Sequence, residues 1–145
     1  TFLDLCAGSG NIGIEALSQG ASSVTFVDYS SKSISIIKQN LAKCNLSPKS
    51  THIKIIQKPA KQAINFLARK GEKFDLIYFD PPYDSDIYLE VLQEIDKKML
   101  LTKEGWIIAE HSRNVELPES VGKLSLEDIR EYGKTQLSFY SISWI

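Results

Sequence analysis

The apolar positions of this 145-residue chain fall into short solid runs separated by stretches of helical spacing. Thr1–Cys6, Ser23–Asp28, Ile53–Ile56, Phe74–Phe79 and Trp106–Glu110 read as strands, each a brief run of mostly apolar residues. A helix is predicted over Ile12–Gln19, with Ile14, Ala16 and Leu17 inward and Gly20 as its stop. Ile34, Ile37, Leu41 and Cys44 mark a second helix, capped by Ser30 or Ser31 and ended near Asn45. Ala63, Ile64, Phe66 and Leu67 mark a third over Lys61–Lys70, with Gly71 after it. Tyr88, Val91, Leu92, Ile95 and Met99 mark a fourth. After Pro118 the alternation breaks. Leu124–Glu131 and Thr135–Trp144, joined by a turn at Tyr132-Gly133-Lys134, read as a β-hairpin.

Strand–helix alternation predicts an α/β fold: a doubly wound, Rossmann-like sheet, mostly parallel, closed by a C-terminal antiparallel hairpin. The length suits one domain over residues 1–145. Such a sheet binds ligands at the carboxyl ends of its strands, where strand order reverses. If the first and fourth strands are neighbours, the loops after Cys6 and Phe79 meet in one crevice.

Composition narrows the class only a little. The net charge is −1, but the first 75 residues carry ten Lys/Arg against five Asp/Glu, and the rest seven against thirteen. A Lys-rich first half can meet a phosphate backbone, and solvated helix faces explain most of these lysines equally well. No apolar run in the sequence is long enough to span a bilayer, and no signal peptide is expected. Cys6 and Cys44 fit no metal-site spacing and are expected to be buried thiols in a reducing cytoplasm.

Candidate chemistry centres on Asp80-Pro81-Pro82-Tyr83. The two prolines end the strand before them and leave a stiff loop. The Asp80 carboxylate and the Pro81 carbonyl can accept the two hydrogens of an exocyclic amine. The Tyr83 ring can stack on the base that carries it. By itself the motif means no more than a proline-ended strand and a surface tyrosine.

Upstream, Ala7-Gly8-Ser9-Gly10-Asn11-Ile12-Gly13 matches G-x-G-x-x-G, so a dinucleotide has to be weighed. Asp28 ends the second strand about 20 residues on and can accept ribose hydroxyls of either cofactor class. Asp4 separates the two. A carboxylate just before the glycines repels a pyrophosphate and suits the ammonium and sulfonium of S-adenosylmethionine. The only histidines, His52 and His111, lie in no recognisable proton-relay motif.

The run from Leu3 to Ala21, with Glu15-Ala16-Leu17-Ser18 after the glycines, resembles the first motif of the RsmD family, which methylates N2 of a guanine in 16S ribosomal RNA. The likeness continues through Phe79–Tyr83, Ile108-Ala109-Glu110 and the closing hairpin with Gly133. It implies S-adenosylmethionine as cofactor, S-adenosylhomocysteine as product and no metal. It implies 16S ribosomal RNA as partner, within a small-subunit assembly particle, and a cytoplasmic monomer with no membrane contact. The implied catalytic residues are Asp80, Pro81, Pro82 and Tyr83. The implied cofactor-binding set is Asp4, Ala7, Gly8, Ser9, Gly10, Asn11, Gly13, Asp28, Tyr29, Ser30 and Ala60. Gln57-Lys58-Pro59-Ala60 holds no acid or asparagine for the adenine amine, so adenine is expected against backbone near Ala60 and against Tyr29. The family has a segment before the first strand, so the chain is expected to be an N-terminally truncated piece. The rivals are an amino-methyltransferase of DNA adenine N6 or cytosine N4, and a non-catalytic fragment that binds cofactor or RNA.

Overall fold

Strand β1 (Phe2–Leu5) is buried along its whole length, as a strand covered on both faces must be. In the computed structural model, which describes residues 1–82 and 87–143, it sits inside an eight-stranded sheet. The chain runs from β1 through α1 (Asn11–Ser18), β2 (Val24–Asp28), α2 (Ser31–Lys43), β3 (Ile53–Gln57) and α3 (Ala60–Arg69). It continues through β4 (Phe74–Phe79), α4 (Tyr88–Lys98), β5 (Leu101–Ser112), β6 (Ser120–Val121), β7 (Leu124–Tyr132) and β8 (Thr135–Ile142). The strand order is β3-β2-β1-β4-β5-β8-β7-β6. β1 therefore lies between β2 and β4, both parallel to it, and the order reverses there. Pairing is parallel from β3 to β5 and antiparallel from β5 through β8 and β7 to β6.

Two apolar clusters cover the faces of the sheet. Ile34, Ile37 and Leu41 of α2 pack with Phe2, Phe26 and Tyr78 on one face. On the other, Ala63, Ile64 and Leu67 of α3 and Val91, Leu92 and Ile95 of α4 pack with Leu3, Leu5, Ile77 and Phe79. Alternate residues of β1 thus serve opposite faces.

Several expectations need correction. β5 begins at Leu101, not Trp106: Leu101 pairs with Phe74, and the register then shifts so that Trp106 pairs with Leu76. Gly105 belongs to this irregular stretch, where a Cβ would stand 2.9 Å from the Asp75 carbonyl oxygen. Met99 does not face inward. It closes α4 in a left-handed conformation and is 61% exposed. Cys44 is exposed at the end of α2, and Cys6 is half-buried. The short strand β6 was not anticipated. Of the two candidate caps, Ser30 is the one used, its hydroxyl accepting from the Ser33 N–H at 3.3 Å. Trp144, at the end of the expected hairpin, lies outside the described residues.

Candidate active site

The turn after β1 starts with a residue that is not glycine. Cys6 takes φ 59°, a strained conformation for a side chain with a Cβ. Gly8 follows at φ 58°, with nothing within 4 Å of where its Cβ would stand. The other two glycines face the core. A Cβ on Gly10 would lie 3.2 Å from Ile37, and one on Gly13 only 2.3 Å from the Phe26 ring. Asn40 of α2 ties the turn down by donating to the Ser9 carbonyl at 2.8 Å.

The N–H groups of this turn are largely engaged within it. Gly10 donates to the Ala7 carbonyl at 2.9 Å, and Asn11 to the Ser9 hydroxyl at 3.4 Å. Gly13 donates to the Asp4 carboxylate at 3.1 Å. Asp4 is 2% exposed, and burial pushes its carboxyl up to about 7, against the lowering effect of the Gly13 bond. The charges of Asp80 and Asp28 raise it further. Asp28 closes β2 and is also buried, accepting the Gly8 N–H at 2.9 Å and the Ser30 N–H at 3.0 Å. Beside it Tyr29 is 67% exposed, its carbonyl held by the Gln57 side chain at 3.4 Å. Ala60 opens α3 directly after Pro59.

Across the sheet, β4 delivers Asp80. Its carboxyl lies beside that of Glu110, two residues before the end of β5. Burial first, then the Glu110 charge and side chain, push Asp80 up to about 6. Glu110 also accepts a hydrogen bond from the Tyr78 hydroxyl, which burial raises well above the usual phenol range. The Tyr88 hydroxyl donates to the Glu110 carbonyl at 2.7 Å. Cys6 stays a neutral thiol: burial, then Asp28, Asp80 and Asp4, push it up to about 12. Tyr83 lies outside the described residues.

These loops enclose a crevice of about 800 Å³ at the reversal point of the sheet. Its lining brings together Ala7, Gly8, Ser9, Asn11, Asp28, Tyr29, Ser30, Ala60, Asp80, Pro81 and Pro82 of the predicted residues. Asp4, Gly10 and Gly13 lie outside the lining and support the turn from the core side. The sequence reading missed Cys6, Ile12, Ser33, Pro59 and Ile87 as lining residues. It also missed Tyr78 and Glu110 as the partners of the Asp80 corner. Glu110 carried a signal: like Asp28 and Asp80, it is an acid that ends an apolar run.

The donor set decides what chemistry fits. The described lining holds two carboxylates and no Lys or Arg, and the Asn11 and Gly13 N–H groups at the start of α1 are engaged inside the protein. A pyrophosphate would meet repulsion and few free donors. Ribose hydroxyls and a sulfonium cation find acceptors of the right charge, so S-adenosylmethionine fits this crevice. Among the described residues no group of His, Cys, Asp and Glu could hold a metal ion.

The family model described as conserved hypothetical protein 95 matches residues 1–141. Over 138 residues the chain is 40% identical to the putative rRNA methyltransferase YlbH of Bacillus subtilis, covering 95% of this chain and 73% of that protein. It is 27% identical to ribosomal RNA small subunit methyltransferase D of Escherichia coli, covering 95% of this chain and 66% of that protein. The solved structure of the putative methyltransferase yhhF from Escherichia coli superposes with a TM-score of 0.81 at 26% identity, covering 99% of this chain and 77% of that one.

Proposed function

The chain belongs to the conserved hypothetical protein 95 family, the RsmD family, and from that membership we propose that it transfers a methyl group from S-adenosylmethionine to the exocyclic N2 amine of a guanine in 16S ribosomal RNA. One observation carries the reading. Asp80 and the prolines open onto the same crevice as Gly8, Asp28 and Tyr29. An amine acceptor and a pocket for a methyl donor therefore face each other across the reversal point.

When bound, S-adenosylmethionine supplies an electrophilic methyl group on a sulfonium. The residues of the chain orient and exclude. Each Asp28 oxygen already takes one N–H and keeps a lone pair for a ribose hydroxyl. Tyr29 and the backbone at Ala60 form the walls for the adenine, and Ala7, Ser9, Asn11 and Ser30 complete the cofactor side. Asp4, Gly10 and Gly13 act from behind by holding the turn. The guanine amine is a poor nucleophile, because its lone pair is delocalised into the ring. Asp80 and the Pro81 carbonyl accept its hydrogens, which localises the lone pair and aims it. Tyr83 stacks on the base, Pro82 stiffens the loop, and the base enters unstacked. No metal takes part.

The chain spans 73% and 66% of the two relatives, and the activity of the whole protein is read from this part of it. The partner is 16S ribosomal RNA, within a small-subunit assembly particle, met in the cytoplasm by a monomer. Among the described residues no helix is long and apolar enough to cross a membrane. The test is mass spectrometry of nucleosides from ribosomal RNA of cells with and without the gene. In parallel, the purified full-length protein is offered 16S RNA, small-subunit particles and plasmid DNA. N2-methylguanosine should depend on the gene and appear in ribosomal RNA. Methyl groups on DNA adenine or cytosine instead would overturn the proposal.

A further inference from the structure

Ala109 pairs with Phe79 across β4 and β5, so the next residues, Asp80 just past the end of β4 and Glu110 within β5, stand side by side. The Glu110 carboxylate lies close enough for its charge to raise the Asp80 carboxyl. Two carboxylates have no donor between them, so each raises the cost of a second negative charge beside it. Glu110 is anchored from two further sides: Tyr78 of β4 donates to its side chain, and Tyr88 of α4 to its carbonyl at 2.7 Å. Among the described residues the titratable groups that act on this corner are Asp4 of β1, Cys6 in the turn after it, Tyr78 and Tyr88, with Asp28 of β2 acting on Asp4 and Cys6. His111, the residue after Glu110, packs edge-on against Tyr88 and bonds to Ser138 and the Ser112 carbonyl instead.

We propose that Glu110 is the positioning residue of Asp80: it stands against one side of the Asp80 carboxylate, leaves the other side to the amine, and by its negative charge readies Asp80 to take up the proton the amine gives off. The inference rests on the methyl-transfer reading. The nitrogen–carbon bond forms as the carbon–sulfur bond of the methyl donor breaks. The sulfur keeps that electron pair. The extra proton of the nitrogen passes to the facing Asp80 oxygen and leaves to water from the exposed side of Asp80. An Asp80 carboxyl raised to about 6 accepts such a proton and releases it again at neutral pH.

The test uses the full-length protein and two readouts. Carboxyl-carbon NMR follows the Asp80 titration without cofactor, and single-turnover methylation follows the rate against pH with it. Glu110→Gln has no charge and donates to Asp80, so the Asp80 midpoint should fall by about a pH unit. The rate at neutral pH should fall about tenfold, with cofactor affinity unchanged. Tyr78→Phe keeps the buried ring and removes a donor to Glu110, so the midpoint should rise. The acid limb of the rate profile should move in the same two opposite directions. A merely structural Glu110 would lower activity without moving either midpoint, and unmoved midpoints overturn the proposal. If Glu110→Gln does not fold, Tyr78→Phe decides alone. Opposite shifts in NMR without any guanine methylation would uphold the pair and sink the substrate reading instead.

Discussion

Asp28 and Asp80 end neighbouring parts of the same sheet and open on the same crevice, yet they are satisfied in opposite ways. Asp28 is followed by Tyr29 and Ser30, and the Ser30 N–H turns back to its carboxylate at 3.0 Å. A second N–H, from Gly8, reaches its other oxygen at 2.9 Å. Asp80 is followed by Pro81 and Pro82, which have no N–H at all. Beside it, among the described residues, stands another acid, Glu110, whose charge raises it. The first carboxylate is built into the frame, with one oxygen lone pair left on each side for the ribose hydroxyls of the proposed function. The second receives no N–H from the two residues that follow it, which under the same proposal leaves it open to the amine. On that reading the prolines do more than stiffen the loop: they withhold the two N–H groups that would otherwise stand closest to Asp80.

The largest expected effect comes from breaking the Asp80 side. Asp80→Asn keeps the shape but adds an amide donor that opposes the amine hydrogens. Single-turnover methylation should slow by about 10²–10³-fold, while cofactor affinity by calorimetry stays close to wild type. A near-normal rate would remove Asp80 from the chemistry.

Asp28→Ala should act on both frame and ligand. Cofactor affinity should fall at least about tenfold, since hydrogen bonds to a charged group are worth about 1.5–3 kcal/mol each. The Gly8 and Ser30 N–H groups also lose their acceptor, so the thermal midpoint should drop. Asp80→Asn should leave that midpoint nearly unchanged. Equal losses of thermal stability in the two variants would erase the distinction between a structural and a free carboxylate.

The parallel part of the fold was legible because each strand is a short apolar run and each helix keeps one apolar stripe. β5 was not legible in full. Its first half, Leu101–Gly105, is polar and glycine-containing, and only the partner Phe74 reveals it as strand. Cys44 and Met99 fell on the apolar periodicity but sit at helix ends, where the face no longer turns inward. The site shows the same division. Residues adjacent in sequence, such as the Asp80 loop and the Gly8 turn, announced themselves as motifs. What Asp4 does depends on how closely Gly13 approaches Phe26, which places the Gly13 N–H on its carboxylate. What Glu110 does depends on register between two strands some thirty positions apart in the chain. Neither can be read from spacing along one segment.

The smallest expected effect tests the role of the prolines directly. Pro82 is exposed and Pro81 buried, so Pro82→Ala removes little packing. Freer φ in the unfolded chain should cost about 0.4–1 kcal/mol of stability. The new N–H stands two residues after Asp80, as the Ser30 N–H stands two residues after Asp28. If it turns back in the same way, Asp80 gains a donor to its charged form, and its midpoint should move below about 6. The sign follows from that: the acid limb of the rate profile shifts to lower pH, because the carboxylate survives further into acid. Above the limb the rate should fall only a few-fold, since an acceptor already holding a donor pulls less on the amine. The measurement is single-turnover methylation against pH, with the Asp80 carboxyl followed by NMR. A slower rate with an unmoved limb would mean that Pro82 works by stiffness alone, and the contrast with Asp28 would then not rest on the missing N–H.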